Sequence, residues 1–261
     1  MDKDLKKLIE ISQSGGAVLK KYFGKKLDVI NEKYNASDLQ TTVDLESEKV
    51  IIDQLKKYFP DYNILSEEVG KIDNGSKFTF VIDPLDGTNN FVLGIANFTS
   101  VIGLLEGDKG IMAAVNSPMT NETFYAASGR GAFLNGKKIK VNTESDMTRS
   151  TISHEVDYHH DQTRTLNIRH ELGANIKVKR LLTDWSPQFM ICLLAAGRLE
   201  GIIREEGEIH DYVAGKIIAR EAGAKITDYQ GKPDQSDKTD KFIMSNGTQV
   251  HDRLIEVVNK K

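Results

Sequence analysis

Apolar positions in the first stretch recur at helical spacing. Leu5, Leu8, Ile9, Val18, Leu19 and Tyr22 predict a helix over 4–22, weakened in its middle by Gly15 and Gly16. Residues 25–43 are polar and turn-rich, which predicts a loop or hairpin. Val50, Ile51, Gln54, Leu55, Tyr58 and Phe59 then line one stripe of a helix over 44–59, closed by Pro60. The pattern next turns to short apolar runs. These predict strands at 63–65, 79–82, 98–105, 110–115, 123–126 and 138–141, with Asn135-Gly136 as a turn. Beyond residue 145 strands and helices alternate. Strands are predicted at 150–153, 176–180, 201–204, 225–227 and 242–244, and helices at 160–172, 186–196, 211–222 and 248–258. Pro187 suits the first turn of its helix. The expectation is an α/β (α+β) chain in two packed subdomains, 1–145 and 146–261.

Composition narrows the class. Hydrophobic residues make up 39% and charged residues 28%, as in an ordinary globular protein. Thirty-five Lys+Arg against 38 Asp+Glu give a net charge of −3, which carries no electrostatic footprint of nucleic-acid binding. No run approaches the roughly 18 apolar residues of a membrane helix. The first residues, Met1 to Lys7, run into an amphipathic pattern without a signal-peptide core. Cys192 is the only cysteine, so no internal disulfide can form, and a cytoplasmic setting is expected.

The chemistry concentrates in Phe80-Val81-Ile82-Asp83-Pro84-Leu85-Asp86-Gly87-Thr88-Asn89-Asn90-Phe91. A buried-strand run ends in two carboxylates split by a proline, which stiffens the backbone and donates no hydrogen bond. Two such acids pointing the same way require a strong counter-charge, and Mg²⁺, a hard cation with oxygen ligands, supplies it. Gly87-Thr88 offers backbone N–H groups at a helix start, which suits a phosphate. Three further acids stand at suggestive places: Glu67 just past a strand end, Asp44 at a helix start, and Asp211 heading another helix. As plain structure, Asp44 and Asp211 read equally well as helix caps, and Glu67 as an exposed loop acid.

At these residues the sequence resembles the inositol monophosphatase family of the lithium-sensitive, Mg²⁺-dependent phosphatase superfamily. The resemblance rests on Glu67-Glu68, on Asp83-Pro84-Leu85-Asp86-Gly87-Thr88, and on Asp211 with Ala214-Gly215 and Glu221-Ala222-Gly223. Gly131-Ala132-Phe133-Leu134-Asn135-Gly136 adds a mid-chain hairpin. It implies a layered αβαβ sandwich of the inositol monophosphatase and fructose-1,6-bisphosphatase type, forming a homodimer. It implies two to three Mg²⁺ ions. Glu67, Asp83 and the Leu85 carbonyl would hold the first, and Asp83, Asp86 and Asp211 the second, with a weaker third near Glu67. Asp44 and Thr88 would orient the attacking water, with Glu67 beside them, and the Gly87 and Thr88 amides would bind the phosphate. Lys33 matches a lysine of a mobile loop that closes over the site. The partner implied is a small phosphorylated substrate.

The chain departs from inositol-specific relatives on the side of the leaving group. Thr183-Asp184-Trp185-Ser186 replaces a small-residue run, Arg204 stands where those relatives carry Glu, and His210 where they carry Trp. Arg204 suits a second phosphate, or else pairs with Glu205 or Glu206, and Trp185 suits a ring. Asp184, Trp185 and Arg204 are therefore the expected substrate-selecting residues, together with Asp86 and Asp211. The substrates left open are myo-inositol monophosphate, the NADP 2′-phosphate and fructose 1,6-bisphosphate. Two other classes compete: a haloacid-dehalogenase-type phosphatase using a covalent aspartate, and a catalytically silent small-molecule binder. His154-Glu155-Val156-Asp157-Tyr158-His159-His160 has a metal-like composition without zinc-site spacing.

Overall fold

A computed structural model describes residues 3–25, 29–32, 39–157 and 160–260. Lys33, expected in the loop over the site, and Tyr158 and His159 lie outside the described residues.

The chain opens with α1 (Lys3–Tyr22), a short antiparallel hairpin β1 (Val29–Glu32) and β2 (Leu39–Thr41), and α2 (Thr42–Tyr58). Next come β3 (Asn63–Ser66), β4 (Gly70–Ile72), β5 (Phe78–Asp86) and the short α3 (Thr88–Leu93). An antiparallel meander follows: β6 (Thr99–Glu106), β7 (Lys109–Ser117), β8 (Glu122–Ala127), β9 (Gly131–Leu134) and β10 (Lys137–Ile139). The second part runs β11 (Thr151–Glu155), α4 (Gln162–His170), β12 (Arg180–Leu182), α5 (Pro187–Ala195) and β13 (Gly201–Arg204). It ends with α6 (Val213–Glu221), β14 (Lys225–Thr227), β15 (Phe242–Ser245) and α7 (Gln249–Asn259).

Two sheets result. Eight strands align as β10-β9-β8-β7-β6-β5-β3-β4, and five as β12-β11-β13-β15-β14. The period-two alternation of their side chains assigns each face. Phe80, Ile82, Ile102 and Leu104 point to α1 and α2, where they meet Leu8, Ile51 and Leu55. Val81, Val101, Val115 and Phe124 point the other way, into a core shared with α5, α6 and one face of the five-stranded sheet. That sheet's opposite face, with Ile152, Ile203 and Ile243, is covered by α4 and α7. The four expected layers are present, and α4 with α7 adds a fifth.

The expected elements stand with shifted boundaries. The strand expected at 176–180 is the main displacement. There α4 continues as a wide helical turn through 171–176, and the strand begins only at Arg180. Lys177 adopts a left-handed conformation (φ 60°) that ends the helix. The strand expected at 79–82 runs on to Asp86, with consequences for the site.

Candidate active site

The central feature is a bulge at the end of β5. Asp83 pairs with Val101 of β6 and Asp86 with Thr99, so β5 spends one more residue than its partner over that interval. Three residues apart in a regular strand, two side chains point to opposite faces. The extra residue, at the Pro84-Leu85 step, restores Asp83 and Asp86 to the same face. Pro84 is tolerated there because a bulge leaves an N–H without a ladder partner. The Leu85 N–H donates to Asp83 Oδ1 (3.0 Å), and the Pro84 carbonyl accepts from Ser47 of α2 (2.9 Å), which fixes the turn from behind.

Both acids are buried, at 3% and 2% exposure. Asp86 is held by the hydroxyls of Ser186 and Thr99 (2.8 Å for Thr99), and by the Gln188 and Phe189 N–H groups at the start of α5 (3.4 and 3.3 Å). It thus sits on the positive end of that helix. Burial dominates its titration. The carboxyl is pushed up to about 8, with the Ser186 and Thr99 hydrogen bonds opposing and Asp211 adding to the rise. Burial also pushes Asp83 well above the carboxylate range, helped by repulsion from Glu67, Asp86 and Asp211. Glu67 lies next to Asp83 because β3 and β5 run parallel in register, Ser66 beside Ile82, and the Glu67 N–H donates to the Ile82 carbonyl (3.2 Å).

Gly87 turns the chain from β5 into α3 with φ 101°, ψ 39°, a left-handed conformation. A Cβ there would also meet the Asn97 carbonyl at 3.0 Å and Ser186 Cβ at 3.1 Å. Thr88 follows, and its hydroxyl lies 3.0 Å from Asp44 Oδ1 and 3.1 Å from the Leu85 carbonyl. Asp44 occupies the third position of α2, whose cap is Thr41; its Oδ2 accepts the Thr41 N–H (2.8 Å) in a capping box. The cap reading and the site reading of Asp44 therefore hold together, one through each oxygen. Burial pushes Asp44 up to about 7, against the Thr41 hydroxyl bond and with Glu67 and Glu68 adding to the rise.

Asp211 comes from the second part of the chain. It is the third residue of a one-turn helix (Ile209–Asp211) between β13 and α6, and its Oδ2 accepts the Glu208 N–H (3.0 Å). Arg204 is neither solvated nor paired with Glu205 or Glu206. It is 3% exposed, and its Nη2 donates to Asp211 Oδ2 at 2.8 Å. Asp184 Oδ1 accepts the Asn90 and Asn97 amides (3.1 and 2.7 Å) and the Ser186 N–H (2.9 Å), which binds this loop to α3. Trp185 is 48% exposed next to it. His154 points to the opposite face of its sheet, where Nε2 meets Glu205 at 2.7 Å, so it is a core histidine.

Among the described residues, no three His, Cys, Asp or Glu side chains are closed around one point as a finished metal cage would be. The donor set nonetheless fits a hard divalent cation. Asp83, Asp86, Asp211 and Glu67 repel one another electrostatically, and the donors are all oxygen. Buried carboxylates driven up by burial and repulsion are relieved by a cation placed between them.

Sequence reasoning missed the residues that hold the acids: Ser186, Thr99, Gln188 and Glu48. Gln188 donates to the His210 carbonyl (2.6 Å) and accepts the Gly215 N–H (2.6 Å), tying α5 to the segment that carries Asp211. Glu48 accepts the Glu68 and Val69 N–H groups (3.1 and 3.0 Å) and shapes the turn after Glu67. Neither carried a local signal, because each partner is distant in sequence. The Glu221 of the third motif caps the hairpin turn before β9, accepting Gly129 and Gly131 N–H (2.9 and 2.7 Å), and is structural.

Comparison with known proteins places the whole chain in a family. A model of the inositol monophosphatase family matches residues 1–261. A fructose-1,6-bisphosphatase/inositol-1-monophosphatase of Thermotoga maritima is 32% identical over 252 residues, covering 97% of this chain and 94% of the relative. Inositol monophosphatase 2 of Solanum lycopersicum is 31% identical over 259 residues, covering 97% and 96%. The crystal structure of the extragenic suppressor protein suhB of Bartonella henselae superimposes with a TM-score of 0.92 at 26% identity, covering 99% of each chain. A whole-length family match, relatives of this identity and the shared fold lead to one conclusion: the chain belongs to the inositol monophosphatase family.

Proposed function

We propose that this phosphoric monoester hydrolase cleaves a small phosphate monoester, myo-inositol monophosphate foremost, by attack of a water held at the end of β5. The observation that carries the reading is the mutual repulsion of Asp83 with Asp86, Glu67 and Asp211, beside the Thr88–Asp44 pair, with the acids drawn from β5, the turn after β3 and the one-turn helix after β13. Glu67, Asp83 and the Leu85 carbonyl would hold one Mg²⁺, and Asp83, Asp86 and Asp211 a second, with Glu67 near a third. When bound, the ions supply counter-charge to the phosphoryl oxygens and acidify the attacking water.

The chain's own groups do the rest. Thr88 Oγ1 donates its proton to Asp44 Oδ1, which leaves the oxygen lone pairs to accept a proton of the water and aim it. Asp44, with a carboxyl that titrates near neutrality, can take that proton in turn. The Gly87 and Thr88 N–H groups at the start of α3 suit the phosphoryl oxygens. No nucleophilic Ser or Cys is needed, and the two-residue spacing of Asp83 and Asp86 does not fit a covalent aspartate.

The leaving-group side favours a polyol over a second phosphate. Arg204 is engaged with Asp211, while Asp184 leaves its second carboxylate oxygen for a hydroxyl donor, and Trp185 offers a ring face beside it. The division at residue 145 reads as one half carrying most of the ligands and another carrying Asp211 and the selecting residues. The exposed apolar side chains Val92, Leu93 and Ile95 support a homodimer through that face. A cytoplasmic setting and Li⁺ inhibition complete the reading.

The test is Mg²⁺-dependent phosphate release from myo-inositol 1-phosphate, NADP and fructose 1,6-bisphosphate. Release from the first, abolished by EDTA and by Asp83→Asn, is expected. Undiminished turnover in the Asp83→Asn protein would overturn the mechanism.

A further inference from the structure

Arg204 ends β13 directly beside Glu155 of β11, and alternation sends both side chains to the face opposite His154 and Glu205. The Arg204 side chain is 4% exposed. Gly207 lies flat over its guanidinium: a Cβ there would fall 1.7 Å from Nη2 and 2.6 Å from Cζ. Its Nε is buried without a hydrogen-bond partner. The head group is therefore walled in, with its Nη2 on Asp211 Oδ2. That oxygen already accepts the Glu208 N–H as well, while Oδ1 lies 3.7 Å from His210 Nε2.

We propose that Arg204 is a fixed internal counter-cation that holds Asp211 and weakens the divalent ion shared by Asp83, Asp86 and Asp211. The proposal rests on the metal assignment above. Two effects oppose each other. Arg204 orients Asp211, which helps an ion bind. It also sets a full positive charge on the carboxylate that the ion would share, which hinders binding. Orientation is the smaller effect, because the Glu208 N–H and the one-turn helix fix Asp211 independently. Charge repulsion between a guanidinium and a divalent ion in a buried site is not screened by solvent in the same way. Arg204 is thus a positioning residue whose charge lowers the affinity of an ion held on Asp211.

Mn²⁺ titration of the full chain, followed by calorimetry and by electron paramagnetic resonance, tests this without turnover. The wild-type protein is expected to show a tighter and a weaker class of ion, the weaker one lost in Asp211→Asn. Arg204→Gln is expected to tighten the weaker class at least about tenfold and leave the tighter class unchanged. Arg204→Lys, which keeps the charge, is expected to keep the wild-type constants. If the glutamine variant does not fold, Arg204→Met replaces it, with the same tightening expected. A folded Arg204→Gln or Arg204→Met protein with wild-type constants for both classes would overturn this inference and leave the phosphatase reading standing. A wild-type chain that binds no Mn²⁺ would overturn both.

Discussion

Thr88 Oγ1 lies 3.0 Å from Asp44 Oδ1, although 44 residues separate them, and the contact joins the first turn of α3 to the first turn of α2. Thr41 holds the other Asp44 oxygen, so the acid is fixed from both sides. Thr88→Val removes the hydroxyl at nearly constant volume. It is expected to lower kcat by roughly 10²–10⁴-fold with little change in thermal midpoint, while Thr88→Ser recovers much of the rate. Steady-state phosphate release and a melting curve on the same samples check this. A valine variant that retains wild-type kcat would remove Thr88 from the mechanism.

Gly87 has two independent reasons to be glycine: its φ of 101° and the 3.0 Å approach of the Asn97 carbonyl to a Cβ position. Gly87→Ala is expected to cost roughly 1–3 kcal/mol by urea unfolding. Activity should fall as well, because α3 carries Thr88.

His251 gives a pH dependence far from the site. The Thr227 hydroxyl donates to the Asp228 carbonyl (2.8 Å), so its oxygen accepts from His251 Nε2 (2.9 Å). Nδ1 then accepts from Ser245 (2.8 Å), whose oxygen takes the Gly247 N–H (3.1 Å). The pocket is built for neutral imidazole, and burial lowers the pKa to about 4, helped by Lys225. Below the ordinary value near 6.5 the unfolded chain binds a proton that the folded chain refuses. The stabilisation is whole above pH 6.5 and is lost as the pH falls to about 4. The loss from this group is on the order of 3 kcal/mol. Urea unfolding of wild type and His251→Gln across that window should show a shallower slope in the variant.

Lys216 is fully buried on α6, with Nζ on Asp234 (2.8 Å) and on the Thr239 carbonyl (2.7 Å), and 4.3 Å from the centre of the Phe242 ring. It pins the long connection between β14 and β15. Lys216→Met leaves Asp234 as a buried, uncompensated charge and is expected to cost roughly 3–5 kcal/mol. Adding Asp234→Asn should return a substantial part of that loss. If the double variant is no more stable than the single one, the pair is not the source.

The leaving-group reading is checked by substrate ratios, and the dimer face by size exclusion with light scattering. Arg204→Gln should leave the ratio of fructose 1,6-bisphosphate to inositol 1-phosphate turnover close to that of wild type, because the guanidinium faces Asp211. Leu93→Glu should shift a dimer toward monomer if the face of Val92, Leu93 and Ile95 is the contact.

Sequence alone determined what is local and periodic. The alternation of Val81 and Ile82, the stripe of Ile51 and Leu55, and the punctuation at Pro60 and Asn135-Gly136 specify elements, since each depends on neighbours within a few residues. The run from Asp83 to Thr88 announced its chemistry because carboxylates, proline and glycine sit within one turn. Tertiary structure decided the rest. Only the pairing of β5 with β6 reveals the bulge that turns Asp83 and Asp86 to one face. Only the one-turn helix after β13 brings Asp211 back onto Arg204, which pairs with it rather than with its neighbours Glu205 and Glu206. Helix start and site acid looked like alternatives for Asp44, and the fold makes them one residue's two oxygens. Local patterns fix how a segment curls and which side it hides. Which distant carboxylate, hydroxyl or guanidinium it meets is set by packing, and packing is a property of the whole chain.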